Sequence, residues 1–412
     1  MTKMSIKKRD NMLKGKNIIL AVTGSIAAYK MANLASMLKK LNCNVYVLMT
    51  KNATNFINPI TFETLTGNRC IIDTFDRNFE YAVEHVALAK NADVVLVAPA
   101  SANVIGKLAN GIADDMLTTT IMASTCHKII APAMNTNMYC NQIVQDNIKK
   151  LKHYGMEVIK PDTGYLACGD VGEGKMPSEQ VLLDYILKEI ALTKDMLGLN
   201  VLVTAGATRE KIDPVRFISN NSTGKMGYAI ARNCMLRGAN VTLITGKTNI
   251  PGVPFVKTIE VESAKDMFDA VKENYSDADI IIKAAAVADY RSKAISDEKI
   301  KKKDDDMSLQ LERTEDILQF LGENKKENQY LCGFSMETEN VIVNSKAKLT
   351  KKNLDMIVAN NLKEDGAGFG TDTNIVTFIT ADDIIQHPIM SKDDVSNEIL
   401  NFILKYKSIR HI

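Results

Sequence analysis

Twice along this chain a short aliphatic run ends in a small-residue turn and is followed by an amphipathic helix. The first begins with "IILAV" (18–22) and "TGS", after which Ala27, Met31, Leu34, Leu38 and Leu41 recur at steps of four and three. That spacing lines one helix face. "VYVLM" (45–49) then returns as a strand and closes a βαβ unit. Near residue 195 the pattern restarts with "NVLVTAGAT" (200–208), a helical stretch from Met226 to Arg237, and "NVTLIT" (240–245). Strands this uniformly apolar are buried on both faces, which requires mainly parallel sheets with helices above and below. The expectation is therefore α/β, with two tandem three-layer domains.

Further strands are expected at 93–99, 128–132 and 157–161, with a helix from Glu179 to Leu192 closing the first half. The second half continues with 278–290, 330–334, 354–360 and 374–380. The joint near "ALTKDMLGLN" (191–200) sets the domains at 16–193 and 194–412, with 1–15 as a basic tail. At 412 residues two cores are the default, and a 46% apolar composition fills them. A net charge of +2 argues against a nucleic-acid partner. No apolar run is long enough for a membrane span, and the N-terminus lacks the features of a signal peptide. Seven scattered cysteines without a Cys-x-x-Cys pair fit a cytoplasmic protein and argue against a disulfide framework or a zinc site.

In such sheets ligands sit at the carboxyl ends of the strands and phosphates favour helix N-termini. A nicotinamide dinucleotide fails on inspection. "TGSIAA" (23–28) has one glycine where the fingerprint wants three, and Thr50-Lys51 and Thr245-Gly246 stand where a ribose-binding acid belongs. Gly224-Lys225 is followed by methionine, so neither half carries a Walker loop. What remains is a turn offering Ser25 and backbone N–H groups with Thr50 close by, suited to a single phosphate monoester such as that of FMN.

The ordered motifs "TGSIAAYK" (23–30), "APASAN" (98–103), "NGIADDML" (110–117), "PAMNTNMY" (132–139) and "GYLACGDVGEGKM" (164–176) resemble the flavin-dependent 4′-phosphopantothenoylcysteine decarboxylases. "DPVRFISNNSTGKMG" (213–227), "KAAAVADYR" (283–291) and "KIKKK" (299–303) resemble phosphopantothenate–cysteine ligase. Their order is similar to that of the bacterial bifunctional coenzyme A biosynthesis family over roughly residues 16–407. The resemblance implies a flavodoxin-like FMN-binding domain followed by a Rossmann-like CTP-binding domain. It also implies small-molecule substrates (4′-phosphopantothenate, cysteine and CTP) and a homo-oligomer built from trimers, up to a dodecamer.

Each candidate residue has a chemical reason beside the resemblance. A carboxylate leaves as CO2 only where the remaining electrons have a sink, which the flavin creates by oxidising the substrate thiol. By resemblance Cys168 then supplies the final proton from a flap whose glycines let it move. His85 is the matching active-site histidine, and Asn135 is an amide able to clamp the substrate's polar end. Gly24, Ser25, Thr50, Ser101 and Ala102 are the FMN-binding candidates. The family's motif usually ends in tryptophan where this chain has Tyr139.

Ligation needs an activated carboxylate, which the family makes as an acyl-cytidylate surrounded by cations. Asn220 matches the residue that stabilises this intermediate, and Lys299 the one that converts it. The CTP contacts fall on Lys283, Ala284, Ala285, Asp289, Lys299, Glu315, Asp316, Ile317, Leu318, Phe334, Lys348 and Lys352. Mg2+ is expected on phosphate oxygens and water, with no dedicated protein ligand. Two other readings are a phosphatase-binding regulatory subunit and an unrelated FMN reductase. The joint presence of His85, Asn135, Cys168, Asn220 and Lys299 disfavours both.

Overall fold

The computed structural model describes residues 11–75, 84–167, 169–302, 307–337, 339–361 and 370–410. They fall into two compact units, Ile6–Leu192 and Thr193–Ile412.

In the first unit β1 (Asn17–Val22), β2 (Asn44–Met49), β3 (Cys70–Ile71), β4 (Val94–Ala100), β5 (His127–Pro132) and β6 (Glu157–Val158) form one sheet. All its pairings are parallel, in the order β3-β2-β1-β4-β5-β6. Setting aside the two-residue edge strand β3, this is the flavodoxin-like order. Alternation along β1 divides the core. Ile18, Leu20 and Val22 pack with Leu34, Leu38, Leu182 and Ile186 on one face. Ile19 and Ala21 pack with Val104, Leu108, Ile121 and Leu151 on the other. The expected strand at 157–161 is shorter than its apolar character suggested. Ile159 still donates to Ile130 O (2.9 Å), but Pro161 has no N–H to continue the ladder.

The glycine-rich stretch is an antiparallel hairpin of β7 (Asp162–Tyr165) and β8 (Val171–Lys175). Two of its four glycines, Gly172 and Gly174, serve close approach, a use that the expectation of movement did not include. Gly174 has φ +131°, and a Cβ there would lie 2.3 Å from Met134 O. A Cβ on Gly172 would lie 2.5 Å from Thr136 Oγ1. Met134 N also donates to Gly174 O (3.1 Å), so the hairpin is docked on the loop after β5. Gly174→Ala is expected to destabilise the unit by roughly 2–3 kcal/mol, lowering its Tm by about 5–10 °C. Calorimetry beside Gly155→Ala, a positive-φ site with open space around it, separates the clash from backbone strain alone.

The second unit contains β9 (Asn200–Ala205), the hairpin β10 (Arg209–Lys211) and β11 (Phe217–Ser219), β12 (Asn240–Thr245), β13 (Lys257–Glu260) and β14 (Ile280–Lys283). There follow β15 (Tyr290–Ser292) paired with β16 (Leu311–Arg313), β17 (Tyr330–Glu337), β18 (Met356–Asn361), β19 (Thr373–Asn374), β20 (Val376–Ile379), β21 (Ile384–Gln386) and β22 (Met390–Ser391), which pairs with β19. The main sheet runs β13-β12-β9-β14-β17-β18-β20-β21. Its first six strands are parallel, the Rossmann-like part, while β20 and β21 are antiparallel additions. Leu202, Ile244, Ile281, Leu331 and Ile357 meet Met267, Leu318, Leu321 and Leu349 on one face.

The expected strand 278–290 ends at Lys283. From there the small side chains of "AAAVA" let the backbone cross the end of β9. Ala285 N donates to Thr204 Oγ1 (3.2 Å), Ala286 N to Gly206 O (2.9 Å) and Ala288 N to Thr208 Oγ1 (3.0 Å). Among the described residues no helix is long and apolar enough to cross a membrane.

Candidate functional site

In the first sheet the chain leaves β1 toward β2 and leaves β4 toward β5, which opens a crevice at the carboxyl ends of β1 and β4. Ser25, extended at φ −152°, caps the 3-10 turn Ile26–Tyr29, its Oγ accepting from Ala27 N at 3.4 Å. Ser101 caps the helix Ala102–Ala109, its Oγ accepting from Val104 N at 3.4 Å. The buried Thr23 hydroxyl ties these exits together, donating to Pro99 O (2.6 Å) and accepting from Ser101 N (3.0 Å). Gly24 is pressed against the loop after β2, where a Cβ would lie 2.8 Å from Asn52 Cβ. Thr50 begins that loop and accepts from Ala53 N at 3.3 Å. Gly24, Ser25, Thr50, Ser101 and Ala102 therefore share one edge of the sheet. Its serine-capped helix start and backbone N–H groups fit a phosphate monoester.

His85 lies half-buried on the first turn of the helix Glu84–Asn91, which precedes β4 and so starts at the same edge. Asn135 follows β5 and caps the short helix Thr136–Cys140, its Oδ1 accepting from Asn137 N at 2.8 Å. Its Nδ2 donates to Asp170 Oδ2 at 3.1 Å, tying the amide to the tip of the β7–β8 hairpin. Cys168 lies outside the described residues. Among the described residues, Gly169 N donates to Leu166 O (3.0 Å) and Leu166 N to Asp170 O (2.8 Å). Tyr139 packs against the aliphatic cluster of Val104 and Ile121, and burial raises its hydroxyl pKa.

In the second unit two confluent cavities of about 440 and 340 Å3 open beyond β14, sharing Lys283, Val287, Asp289 and Lys348. The larger adds Glu315, Asp316, Ile317, Leu318 and Lys352. Asp316 caps the helix Ile317–Asn324, accepting from Gln319 N at 2.9 Å, and pairs with Lys352. The smaller adds Asn220, Ala284, Ala285, Phe334 and the helix start at Gly224-Lys225. Asn220 Nδ2 donates to Ala286 O (3.2 Å) and Val287 O (3.3 Å), which fixes the amide beside the shared floor. Burial, then the neighbouring charge of Lys348 and Lys352, lowers Lys283 to about 8 against the pull of Asp316 and Asp289. Lys299 is exposed and lines neither cavity, and residues 303–306 beyond it lie outside the described residues.

Three residues escaped the sequence reading. Asp170 reaches Asn135 across a turn, and its only signal was an acid two residues beyond the cysteine. Lys392, buried on the wall of the smaller cavity, is lowered to about 8 by burial and by Lys225. The buried Asn360 Oδ1 on the same wall has no hydrogen-bond partner among the described residues. Neither of these two carries a local pattern. Among the described residues one metal-capable group, His127, Glu157 and Glu189, lies within 4.8 Å at the amino ends of β5 and β6. There Glu157 is already paired with His127 (3.7 Å) and Lys188 (3.1 Å).

Residues 6–191 match the Flavoprotein family, and residues 196–406 match the DNA/pantothenate metabolism flavoprotein C-terminal domain. A coenzyme A biosynthesis bifunctional protein CoaBC of Bacillus subtilis (strain 168) is 48% identical over 396 residues, spanning 95% of this chain and 97% of the relative. Its namesake from Borreliella burgdorferi is 43% identical over 394 residues, spanning 95% of this chain and 100% of the relative. A crystal structure of the C-terminal domain of a coenzyme A biosynthesis bifunctional protein CoaBC is 44% identical, covering 52% of this chain and 98% of that one with a TM-score of 0.45.

Proposed function

This chain belongs to the coenzyme A biosynthesis bifunctional proteins, and from that premise we propose how its two activities divide. Residues 194–412 join cysteine to 4′-phosphopantothenate with CTP through an acyl-cytidylate, and residues 16–193 then decarboxylate the product with FMN. The observation that carries this reading is the presence in one chain of two carboxyl-end sites of different character. One is a crevice suited to a phosphate monoester, and the other is a cavity ringed by Lys283, Lys348 and Lys352.

FMN, when bound, takes up and returns the electron pair that makes loss of CO2 feasible. The chain's own residues do the rest. Backbone N–H groups at Gly24-Ser25 and of Ala102 hold the phosphate, with the Ser101 hydroxyl and Thr50 beside it. Asn135, oriented by Asp170, holds the substrate's polar end, His85 serves the early oxidation and decarboxylation, and Cys168 delivers the final proton. In the ligase half Lys283, Lys348 and Lys352 surround the triphosphate, whose oxygens carry Mg2+ with water. Phe334 and Asp289 hold the nucleoside and backbone at 315–318 completes the pocket. Asn220 steadies the mixed anhydride, and Lys299 acts on its conversion. By the same family likeness the protein works in the cytoplasm as a homo-oligomer built from trimers, up to a dodecamer, which light scattering will measure.

The test is incubation of purified protein with 4′-phosphopantothenate, cysteine, CTP and Mg2+, with products identified by mass. 4′-Phosphopantetheine, CMP, pyrophosphate and CO2 are expected, from a protein that purifies yellow. A colourless protein that refuses FMN, or absence of the ligated product, would overturn the corresponding half.

A pH dependence follows from Lys283. Its ammonium loses its proton near pH 8 in the free enzyme, and a bound triphosphate favours the charged form. Binding therefore takes up a proton above about pH 8. Apparent CTP affinity is expected to be flat below that pH and to fall by up to about tenfold per unit above it. Lys392 titrates in the same range, so Lys283→Met is the control. It should bind weakly and remove most of the slope.

A further inference from the structure

We infer that Asp213 is a positioning residue for ligation, acting with Arg216 as a clasp on the backbone immediately after Lys299; the inference rests on the catalytic reading of Lys299. Asp213 is buried, its side chain 0% exposed. Its Oδ1 accepts from Val215 N and Arg216 N, both at 2.8 Å, which is the ordinary work of an aspartate starting a turn. A turn does not account for the rest. Oδ2 accepts from Ile300 N at 3.2 Å, 87 residues away in sequence. Arg216 Nη1 pairs with the same carboxylate at 3.3 Å while its Nη2 donates to Ile300 O at 3.1 Å.

One ion pair thus holds both backbone polar groups of Ile300. Upstream, Ser296 N donates to Ile212 O at 3.0 Å, so the lysine segment is tied to the Asp213 turn at two points. Burial opposes ionisation of Asp213, but the three backbone donors and Arg216 outweigh it and hold the carboxyl below its usual range. The carboxylate is therefore charged throughout the neutral range. Lys299 itself is exposed. A long cation acts on a developing charge only if its root is fixed, because each freely rotating bond spreads the ammonium over more positions. The clasp removes backbone freedom at that root.

The decisive experiment is a double-mutant cycle on the second half-reaction, in which preformed acyl-cytidylate is mixed with cysteine in a single turnover. Asp213→Asn keeps the shape and a carbonyl acceptor for the turn but loses the charge that holds Arg216. It is expected to slow this step about tenfold while leaving the KM for CTP within about twofold. In a Lys299→Gln background the same change should cost less than about twofold. An equal loss in both backgrounds overturns the inference, because Asp213 would then act independently of Lys299. A Lys299→Gln enzyme with wild-type ligation instead removes the catalytic reading of Lys299. The clasp is tested separately by brief native-state trypsin digestion. Cleavage after Lys299, Lys301 and Lys302 should rise at least about tenfold in Asp213→Asn with cleavage elsewhere unchanged, and an unchanged rate at those lysines refutes it.

Discussion

Cys168→Ser is expected to release CO2 at close to the wild-type rate and then stall, with 4′-phosphopantetheine formed about 10²- to 10⁴-fold more slowly. The two steps separate because they ask different things of the protein. On the proposed assignment oxidation and decarboxylation need the flavin, His85 and a held substrate, all of which the substitution leaves in place. The last step needs an acid. A thiol near pKa 8.5 serves at neutral pH, whereas a serine hydroxyl has no accessible ionised form with which to share the proton. The unsaturated thiol product of decarboxylation should therefore accumulate and be visible by mass after a quench. His85→Asn is the contrasting variant, with both CO2 release and product expected to fall together. Normal turnover by the serine variant would remove Cys168 from the reaction. Position matters as much as acidity. Gly172 and Gly174 let the hairpin lie against the loop after β5, and Asn135 is bonded to Asp170 at the hairpin tip. On the proposed assignment the substrate-holding amide of Asn135 is fixed by a docked hairpin, and Gly174→Ala should depress the proton-delivery step even at temperatures where the unit stays folded.

The sheets were legible because their strands are buried on both faces and bounded by turns. "NVTLIT" is β12 residue for residue, and "IILAV" differs from β1 by one residue at its start. Strand direction was not legible at "NIVTFIT", since a buried apolar run reads alike whether it pairs parallel or antiparallel; only its partner β18 shows that it reverses. "AAAVADY" misled for a related reason. Small apolar residues suit a buried strand, yet here their smallness lets a loop cross the end of β9. The glycines of β8 read as freedom, and their use in close packing depends on Met134 and Thr136, which lie far off in the linear pattern. The site divides in the same way. Residues to which a motif assigns a role were open to reading, while the parts of Asp170 (inside a motif but without a role there), Asn360 and Lys392 depend on contacts made only after folding. Lys299 shows the converse, since its motif names it but the fold leaves it exposed and outside both cavities.

Lys299→Gln is expected to slow ligation roughly a hundredfold, equivalent to the loss of about 3 kcal/mol of transition-state stabilisation. Glutamine keeps most of the length and loses the charge, so the loss reports electrostatics more than packing. The substitution should leave activation intact, because the proposed nucleotide cavity has its own cations in Lys283, Arg313, Lys348 and Lys352. Acyl-cytidylate should then form from 4′-phosphopantothenate and CTP and persist long enough to be isolated. Decarboxylation of added 4′-phosphopantothenoylcysteine should stay near the wild-type rate in the same preparation, since the hydrophobic core beneath the flavin crevice is formed within the first unit. Asn220→Asp is the complement. Its amide sits 3.2 Å from Ala286 O at the cavity floor, and a carboxylate there would face that carbonyl and the mixed anhydride with like charge. Retention of acyl-cytidylate should fall in this variant, the opposite of its accumulation in Lys299→Gln. If both variants instead lose activation equally, Lys299 belongs to nucleotide binding. If Lys299→Gln ligates at the wild-type rate, "KIKKK" is a solvated charge run, and its exposed position in the fold is the whole of its role.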